Sequence, residues 1–382
     1  MRWPLTAWTT WPLSKSITGI RRMSSISSVL VYEYFTGGGC SEDEPPAGLA
    51  SEALGMLWAL LTDFHNWGAV RTITVLDPRF DERIPGLNSK TMPADEVVRV
   101  LPGNHEDIYL SLLKRCDAVL VLAPETNGIL AKFTALAEKM GVPLLCSCSS
   151  AVAKAGDKAI CNQLFRHEHL PTPDTCLSET STAHKAARQI GFPLVIKPID
   201  GVGSEGVCCI EKSSDLLPAL AWVRSATSHD RILLQSFVDG VAASVSLLIA
   251  GRNCIPLSLN CQLIEGRSQF QYQGSRVPFD HSSKGQALEL ACSAAKAIPG
   301  LCGYVGVDLI LSGDHVQLIE INPRLTTSYI GLRQVSGINL AHAIWETCRK
   351  GMLPDRVPLT GQVTVRKDNP ETWGLRTKSL AE

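Results

Sequence analysis

Between Gly303 and Arg324 the chain reads GYVGVDLILSGDHVQLIEINPR, and no other stretch limits its fold as strongly. Residues 304–311 and 316–321 are β-branched and apolar, and the Ser312-Gly313-Asp314 break between them predicts a β-hairpin. Alternate side chains of a strand share a face, so Glu320 and Asn322 point the same way, and the hairpin brings Asp308 nearly opposite Glu320. Two carboxylates and an amide oxygen suit hard Mg²⁺ or Mn²⁺, which usually keep waters and share their remaining positions with nucleotide phosphates. Pro323 ends the strand and leaves Arg324 one step beyond the metal ligands. On these residues alone, a surface hairpin with stray acids and an Asn-Pro turn stays open as the alternative.

Earlier in the chain, residues 28–34, 73–76, 118–122 and 144–146 read as short buried strands. Residues 48–64, 105–115 and 127–140 between them carry apolar side chains at helical spacing, which predicts an open parallel sheet with helices on both faces. The loop after the first strand, with Gly37, Gly38 and Gly39, falls at the carboxyl end of that sheet, where ligands usually bind. Its amides could cradle a carboxylate or phosphate, or it could be a flexible turn. From about residue 155 the pattern changes to hairpins mixed with isolated helices, as expected of an α+β unit.

Gly201-Val202-Gly203-Ser204-Glu205-Gly206 matches G-x-G-x-x-G, but the dinucleotide fingerprint needs a helix to begin inside the loop. Here residues 207–211 read as a second strand, so the loop is a flap whose amides can close over a polyphosphate. Lys197 ends the strand entering the flap, placing a positive charge beside phosphate oxygens. Lys158 opens a helix over 158–168 and on its own could equally be a solvated lysine. Between Gln262 and His281, the residues Arg267, Phe270, Tyr272, Arg276 and Phe279 mix basic and aromatic character. That mixture suits an amino-acid carboxylate and a phenol ring, or an ordinary surface loop.

A chain of 382 residues should hold two or three packed units. With 45% hydrophobic and 19% charged residues and a net charge of -1, it has no basic footprint for nucleic acid. No apolar run approaches a membrane span. The partners expected are small molecules, and homo-oligomerisation stays open. Thirteen cysteines without paired C-x-x-C spacing argue against a zinc module or a disulfide framework, so reduced thiols in the cytoplasm are expected. Residues 1–25 are basic, hydroxylated and free of acids, and read as a disordered or mis-assigned extension with Met23 the true initiator.

Taken in order, Lys158, the VIKP segment around Lys197, the 201–206 flap, the LLQSFVDG segment and Asp308…Glu320-x-Asn322-Pro-x-Arg324 resemble the ATP-grasp superfamily over roughly residues 150–350. The resemblance implies an N-terminal open parallel α/β sheet of the pre-ATP-grasp type over 26–150. A two-lobed α+β ATP-grasp module over 151–353 and a tail over 354–382 would follow. It implies ATP between the lobes, with Lys158, Lys197, Gly201, Gly203, Ser204 and Gly206 at its phosphates and Gln235, Ser236, Phe237 and Val238 against the adenine. Two Mg²⁺ or Mn²⁺ ions would sit on Asp308, Glu320 and Asn322, with Arg324 and Lys197 catalytic. Many members carry glutamates where this chain has Gln235 and Ala242, so its adenine and ribose contacts must differ in detail.

The VYEYFTGGG opening, the helix after it and the Asn260-x-Gln262 pair are similar to one branch of that superfamily. That branch includes the tyramine-L-glutamate ligase of methanofuran synthesis and bacterial relatives associated with one-carbon metabolism. The resemblance implies a carboxylate-amine ligase working through an acyl phosphate, with L-glutamate and tyramine as the leading pair. Substrate contacts would come from Gly37, Gly38, Gly39, Asn260, Gln262, Arg267, Tyr272 and Arg276. Two other classes remain on the residues alone: a phosphotransferase on a small metabolite and a nucleotide-binding regulator.

Overall fold

A computed structural model of the chain describes residues 27–40, 47–80, 90–101, 103–367 and 375–380; the expected extension over 1–25, with Met23, lies outside them. Four parallel strands, β1 (Ser28–Glu33), β2 (Arg71–Leu76), β3 (Glu96–Arg99) and β4 (Ala118–Leu122), form the first sheet in the order β3-β2-β1-β4. Every residue of β1 and β4 is buried, which explains their unbroken apolar character: a parallel strand covered on both faces has no polar side to alternate with. The covering helices are α1 (Ala47–Trp67), α2 (His105–Leu113) and α3 (Ile129–Lys139). Strand β3, partly exposed at the sheet edge, escaped the sequence reading, and residues 144–146 contribute a single bridge from Leu144 to Val119 instead of a full strand.

Helices α4 (Ser149–Gly156) and α5 (Lys158–His167) lead into the remainder of the chain. A four-stranded antiparallel sheet, in the order β5-β8-β6-β7, is made of β5 (Thr175–Glu179), β6 (Leu194–Pro198), β7 (Cys208–Ile210) and β8 (Arg231–Ser236). It carries α6 (Ala183–Ile190) and α7 (Leu216–Ser225) on an apolar core of its own.

The largest sheet runs β13-β12-β9-β10-β11-β14-β15. Its strands are β9 (Val241–Ala250), β10 (Asn253–Glu265), β11 (Gln271–Val277), β12 (Gly303–Ser312), β13 (His315–Asn322), β14 (Gln362–Lys367) and β15 (Leu375–Leu380). Helix α8 (Lys284–Lys296) covers one face through Ala287, Ala291, Ala294 and Ala295, whose small side chains at helical spacing allow close approach. Helices α9 (Ser328–Val335) and α10 (Leu340–Lys350) cover the other and share one continuous core with α1.

Three sequence expectations change here. The basic and aromatic segment after Gln262 is largely strand β11, paired to β10, and the chain beyond residue 353 returns as β14 beside β11. Against the expectation of reduced thiols throughout, Cys254 of β10 and Cys292 of α8 are bonded, their Cα atoms 5.9 Å apart; no second disulfide occurs among the described residues. Packing of α8 on β10 brings these two together, and a separation of 38 residues gave no local sign of it. Among the described residues no helix is long and apolar enough to cross a membrane.

Candidate active site

The β12–β13 hairpin forms in the expected register: Asp308 faces Glu320 and Gly306 faces Asn322, with a bulge between Asp308 and Leu309. Gly306 has to be glycine, since a Cβ there would stand 2.6 Å from Thr326 Cγ2 in the segment after Arg324. Burial drives the Asp308 carboxyl above its ordinary range, and the charge of Glu320 adds to the effect. Burial opposes ionisation of Glu320 too, but Lys158 and Lys197 outweigh it and hold Glu320 below its ordinary value.

Lys158 reaches this pair because Asp157 caps α5, accepting the amides of Ala159 and Ile160 at 2.9 and 3.0 Å and so fixing Lys158 in the first turn. Its Nζ lies 2.9 Å from Glu320 Oε2 and donates to the Gly201 carbonyl at 2.8 Å. Lys197 Nζ donates to Gln235 Oε1 at 2.9 Å, and Gln235 Nε2 donates to Thr175 Oγ1 at 2.8 Å, which fixes the amide orientation. Burial lowers Lys197 to about 8, Glu320 resisting and Lys158 assisting.

These groups line one cavity of about 520 Å³ between the small and large sheets. It is also walled by Gly201, Gly203 and Ser204 of the flap, by Gln235, Ser236, Phe237 and Val238, and by Gln262, Tyr272, Asn322 and Arg324. The flap is the expected strand, loop and strand: β6 pairs with β7 from Leu194–Ile210 to Ile196–Cys208. Ser204 holds a φ of 65°, in the left-handed region between two glycines that adopt it readily. Gly206 serves packing, since a Cβ there would come within 2.6 Å of Ala226 Cβ. At the flap's root, Asp200 accepts the Asn127 amide at 2.8 Å, tying the loop to the parallel-sheet side, and pairs with His229 of its own lobe at 3.2 Å.

Several expected substrate contacts have other duties. The amides of Gly37, Gly38 and Gly39 donate to the carbonyls of Glu33, Phe35 and Tyr34, so this loop is a closed turn and its amides are already spent. Asn260 is fully buried, with its amide committed to Ser244, Ser246 and Ser258. Arg267 sits outside the cavity wall, paired with Glu211 at 2.6 Å and stacked 4.5 Å from the Phe237 ring, bracing that wall from behind. Arg276 is half-buried on β11 and is not part of the lining.

The structure adds groups the sequence reading passed over. Arg324 Nε lies 3.0 and 3.1 Å from the two oxygens of Glu125, which follows β4 at the carboxyl end of the parallel sheet. Glu52 of α1 accepts from Thr327 at 2.6 Å and meets Lys367 of β14 at 2.5 Å, and Lys367 stands 5.4 Å from the Tyr272 ring. An acid inside the apolar helix ASEALGML was a visible signal for Glu52; nothing local marked Lys367. A second, smaller cavity of about 50 Å³ shares Glu52, Gly203 and Arg324 with the first.

Two facing, partly buried carboxylates with the Asn322 amide beside them are hard oxygen donors, and that donor chemistry fits a divalent cation with oxygen preference. Among the described residues no cluster of three or more His, Cys, Asp or Glu competes for that role.

Comparison with known proteins gives a consistent result. The ATP-grasp domain family matches residues 155–328, and the pre ATP-grasp 3 domain family matches residues 70–152. A tyramine–L-glutamate ligase from Methanocaldococcus fervens is 32% identical over 308 residues, covering 80% of this chain and 89% of its own. Among solved structures, an ATP-grasp superfamily protein from Archaeoglobus fulgidus superposes with a TM-score of 0.67 at 25% identity, covering 93% of this chain and all of that one. A biotin carboxylase from Campylobacter jejuni gives 0.71 at 18% identity over 90% of this chain and 75% of its own, a likeness of fold alone.

Proposed function

Since the chain belongs to the ATP-grasp family and is an ATP-dependent ligase forming carbon–nitrogen bonds, we propose that it joins L-glutamate to tyramine through a glutamyl phosphate. The observation that carries the reading is the convergence of Asp308, Glu320, Lys158, Lys197, Arg324 and the flap residues Gly201, Gly203 and Ser204 on one cavity. The named activity of the M. fervens relative supports the substrate pair.

In this reading the substrate carboxylate attacks the γ-phosphorus of ATP, the bond to the β–γ bridging oxygen breaks, and ADP leaves. Lys158 and Lys197 neutralise phosphate charge, and Gln235 holds the Lys197 ammonium in place. Gln235 to Val238 border the adenine, and Arg267 keeps Phe237 in position from behind. Asp308, Glu320 and Asn322 would hold Mg²⁺ or Mn²⁺, which supplies charge neutralisation at the phosphates. Gly201, Gly203 and Ser204 cover the phosphates and exclude water that would hydrolyse the acyl phosphate. Arg324, oriented by Glu125, stabilises the negative charge of the transferred phosphoryl group. The amine then attacks the acyl carbon, the amide forms and phosphate leaves.

The test is ADP release by the purified protein with Mg-ATP and L-glutamate, with and without tyramine, beside Lys197→Ala. Tyramine-dependent release that is lost in the variant, with the amide seen by mass spectrometry, is the expected result. Release stimulated by other acid and amine pairs would move the substrates and leave the ligase; ADP formation indifferent to any amine would favour phosphotransfer.

A further inference from the structure

Away from the Cys254–Cys292 bond, the Sγ atoms of Cys302 and Cys348 touch at 3.7 Å, across a sequence separation of 46 residues. Cys302 immediately precedes β12, and Cys348 lies in the last turn of α10. Both main chains are held in place. Ser147, fully buried, accepts the Cys302 amide at 3.1 Å and donates to its carbonyl at 3.3 Å. Helix α10 stops at Gly351, whose left-handed turn brings its amide to the Thr347 carbonyl at 3.1 Å. Gly303 makes the sulfur contact possible: its φ is 71°, and a Cβ there would stand 2.9 Å from Cys348 Sγ. Both thiols are half-buried, within reach of a small reagent, and neither lines the large cavity.

We propose that Cys302 and Cys348 are a thiol modification site, joined as a disulfide by oxidised glutathione, and that the bond staples the segment carrying the charged floor of the cavity. Between the two sulfurs the chain runs through β12, β13, Arg324, α9 and most of α10, and so includes Asp308, Glu320 and Asn322. In the first step the Cys302 thiolate attacks one sulfur of the reagent, the reagent's S–S bond breaks, and one glutathione leaves as a thiolate. Cys348 then gives its proton to water and attacks Cys302 Sγ; the bond between the two residues forms and the second glutathione leaves. Two protein thiols lose two protons and two electrons, and one glutathione disulfide becomes two thiols. Contact with Cys348 holds Cys302 below its ordinary value against the effect of burial, and the same contact, with burial, holds Cys348 well above its own. Cys302 is therefore the attacking sulfur and Cys348 the resolving one. A closed loop of this length restricts the unfolded chain, so the bond stabilises the floor without moving it.

The test takes the full chain, Cys302→Ala and Cys348→Ser, each incubated with oxidised glutathione or with dithiothreitol. Non-reducing peptide mapping by mass spectrometry needs only wild type, and should find the Cys302 and Cys348 peptides linked with the loss of two hydrogens. Cys348→Ser should keep glutathione on Cys302, having no resolving sulfur. Dithiothreitol also opens Cys254–Cys292, so the variants, which retain that pair, supply the baseline for thermal melting. On oxidation the melting temperature of wild type should rise about 5 °C more than that of either variant, while its affinity for Mg-ATP stays within threefold of the reduced protein. Free thiols at both positions, glutathione left on Cys302 of wild type, or a link from Cys302 to Cys146 or Cys148 would overturn the proposal. So would a linked wild type whose melting temperature rises no more than the variants', or whose affinity for Mg-ATP changes more than threefold.

Discussion

The two walls of the large cavity are built to different standards. The wall carrying Asp308, Glu320 and Arg324 belongs to the seven-stranded sheet, whose core continues through Tyr329 and Ile344 into Leu57, Leu60 and Phe64 of α1. Buried polar groups pin it further: Asp63 accepts from Tyr329 at 2.7 Å and from Arg333 at 2.7 and 2.9 Å, and its carbonyl accepts from Asn339 at 2.7 Å. The opposite wall, with Lys197 and the flap, stands on a small separate core that includes Leu194, Ile196, Val223 and Leu234. Its flap meets Asn127 and Lys158 through polar links at Asp200 and Gly201. A wall that shares its core with its neighbours opens only by near-global unfolding, whereas one with a private core and a few links opens at lower cost. A rigid charged floor and a closable lid are what phosphoryl transfer in a water-excluded site requires.

Breaking the rigid side at its joint should have the largest effect. Asp63→Ala leaves Arg333 buried without its partner and should cost about 3–5 kcal/mol in urea unfolding, with the parallel sheet and the large sheet loosening together; a loss confined to one of them would refute the shared core. At the floor of the site, Asp308→Asn should lower ADP release about 10²–10³-fold, while the melting temperature holds or rises because one of two facing buried carboxylates is neutralised.

Glu33 sharpens the contrast through pH. Its carboxyl is raised from an ordinary 4.5 to about 7 by burial, so between those values the folded state binds more protons than the unfolded one. Stability therefore falls as pH rises through that window. Glu33→Gln should lift stability at pH 8 by about 2–3 kcal/mol and hardly at all at pH 4, giving a flatter stability profile by thermal melting. The smallest effect belongs to the lid: Asp200→Ala removes the Asn127 and His229 links and should cost about 1–2 kcal/mol locally. That should appear as faster hydrogen exchange over residues 201–206 and a KM for ATP raised about tenfold, with global stability little changed.

Much of the site was legible because its geometry is local. A hairpin with a short turn fixes which residues face each other, so Asp308, Glu320 and Asn322 could be placed together from spacing. A glycine loop between two β-branched runs is a flap whatever surrounds it, and an Asp cap fixes Lys158 at a helix start. The same reasoning failed where a residue's duty depends on what packs against it. Gly37, Gly38 and Gly39 resemble an anion cradle in sequence, yet their amides close a turn. Asn260 alternates into a serine network inside the sheet, and Arg267 stacks on the outside of the wall it was expected to line.

By itself, then, the sequence determined the fold class and the charged floor, which rest on period, register and contacts between near neighbours, while its motif series carried the resemblance to the ATP-grasp superfamily. Only the tertiary structure decided that Glu125 pairs with Arg324 and Lys367 with Glu52, that Cys254 joins Cys292, and that Glu33 stands buried with no ion pair among the described residues. Those contacts join separate elements across hundreds of residues or across packed faces. The free energy that selects them is the collective burial of one core against another, which no short stretch of sequence carries.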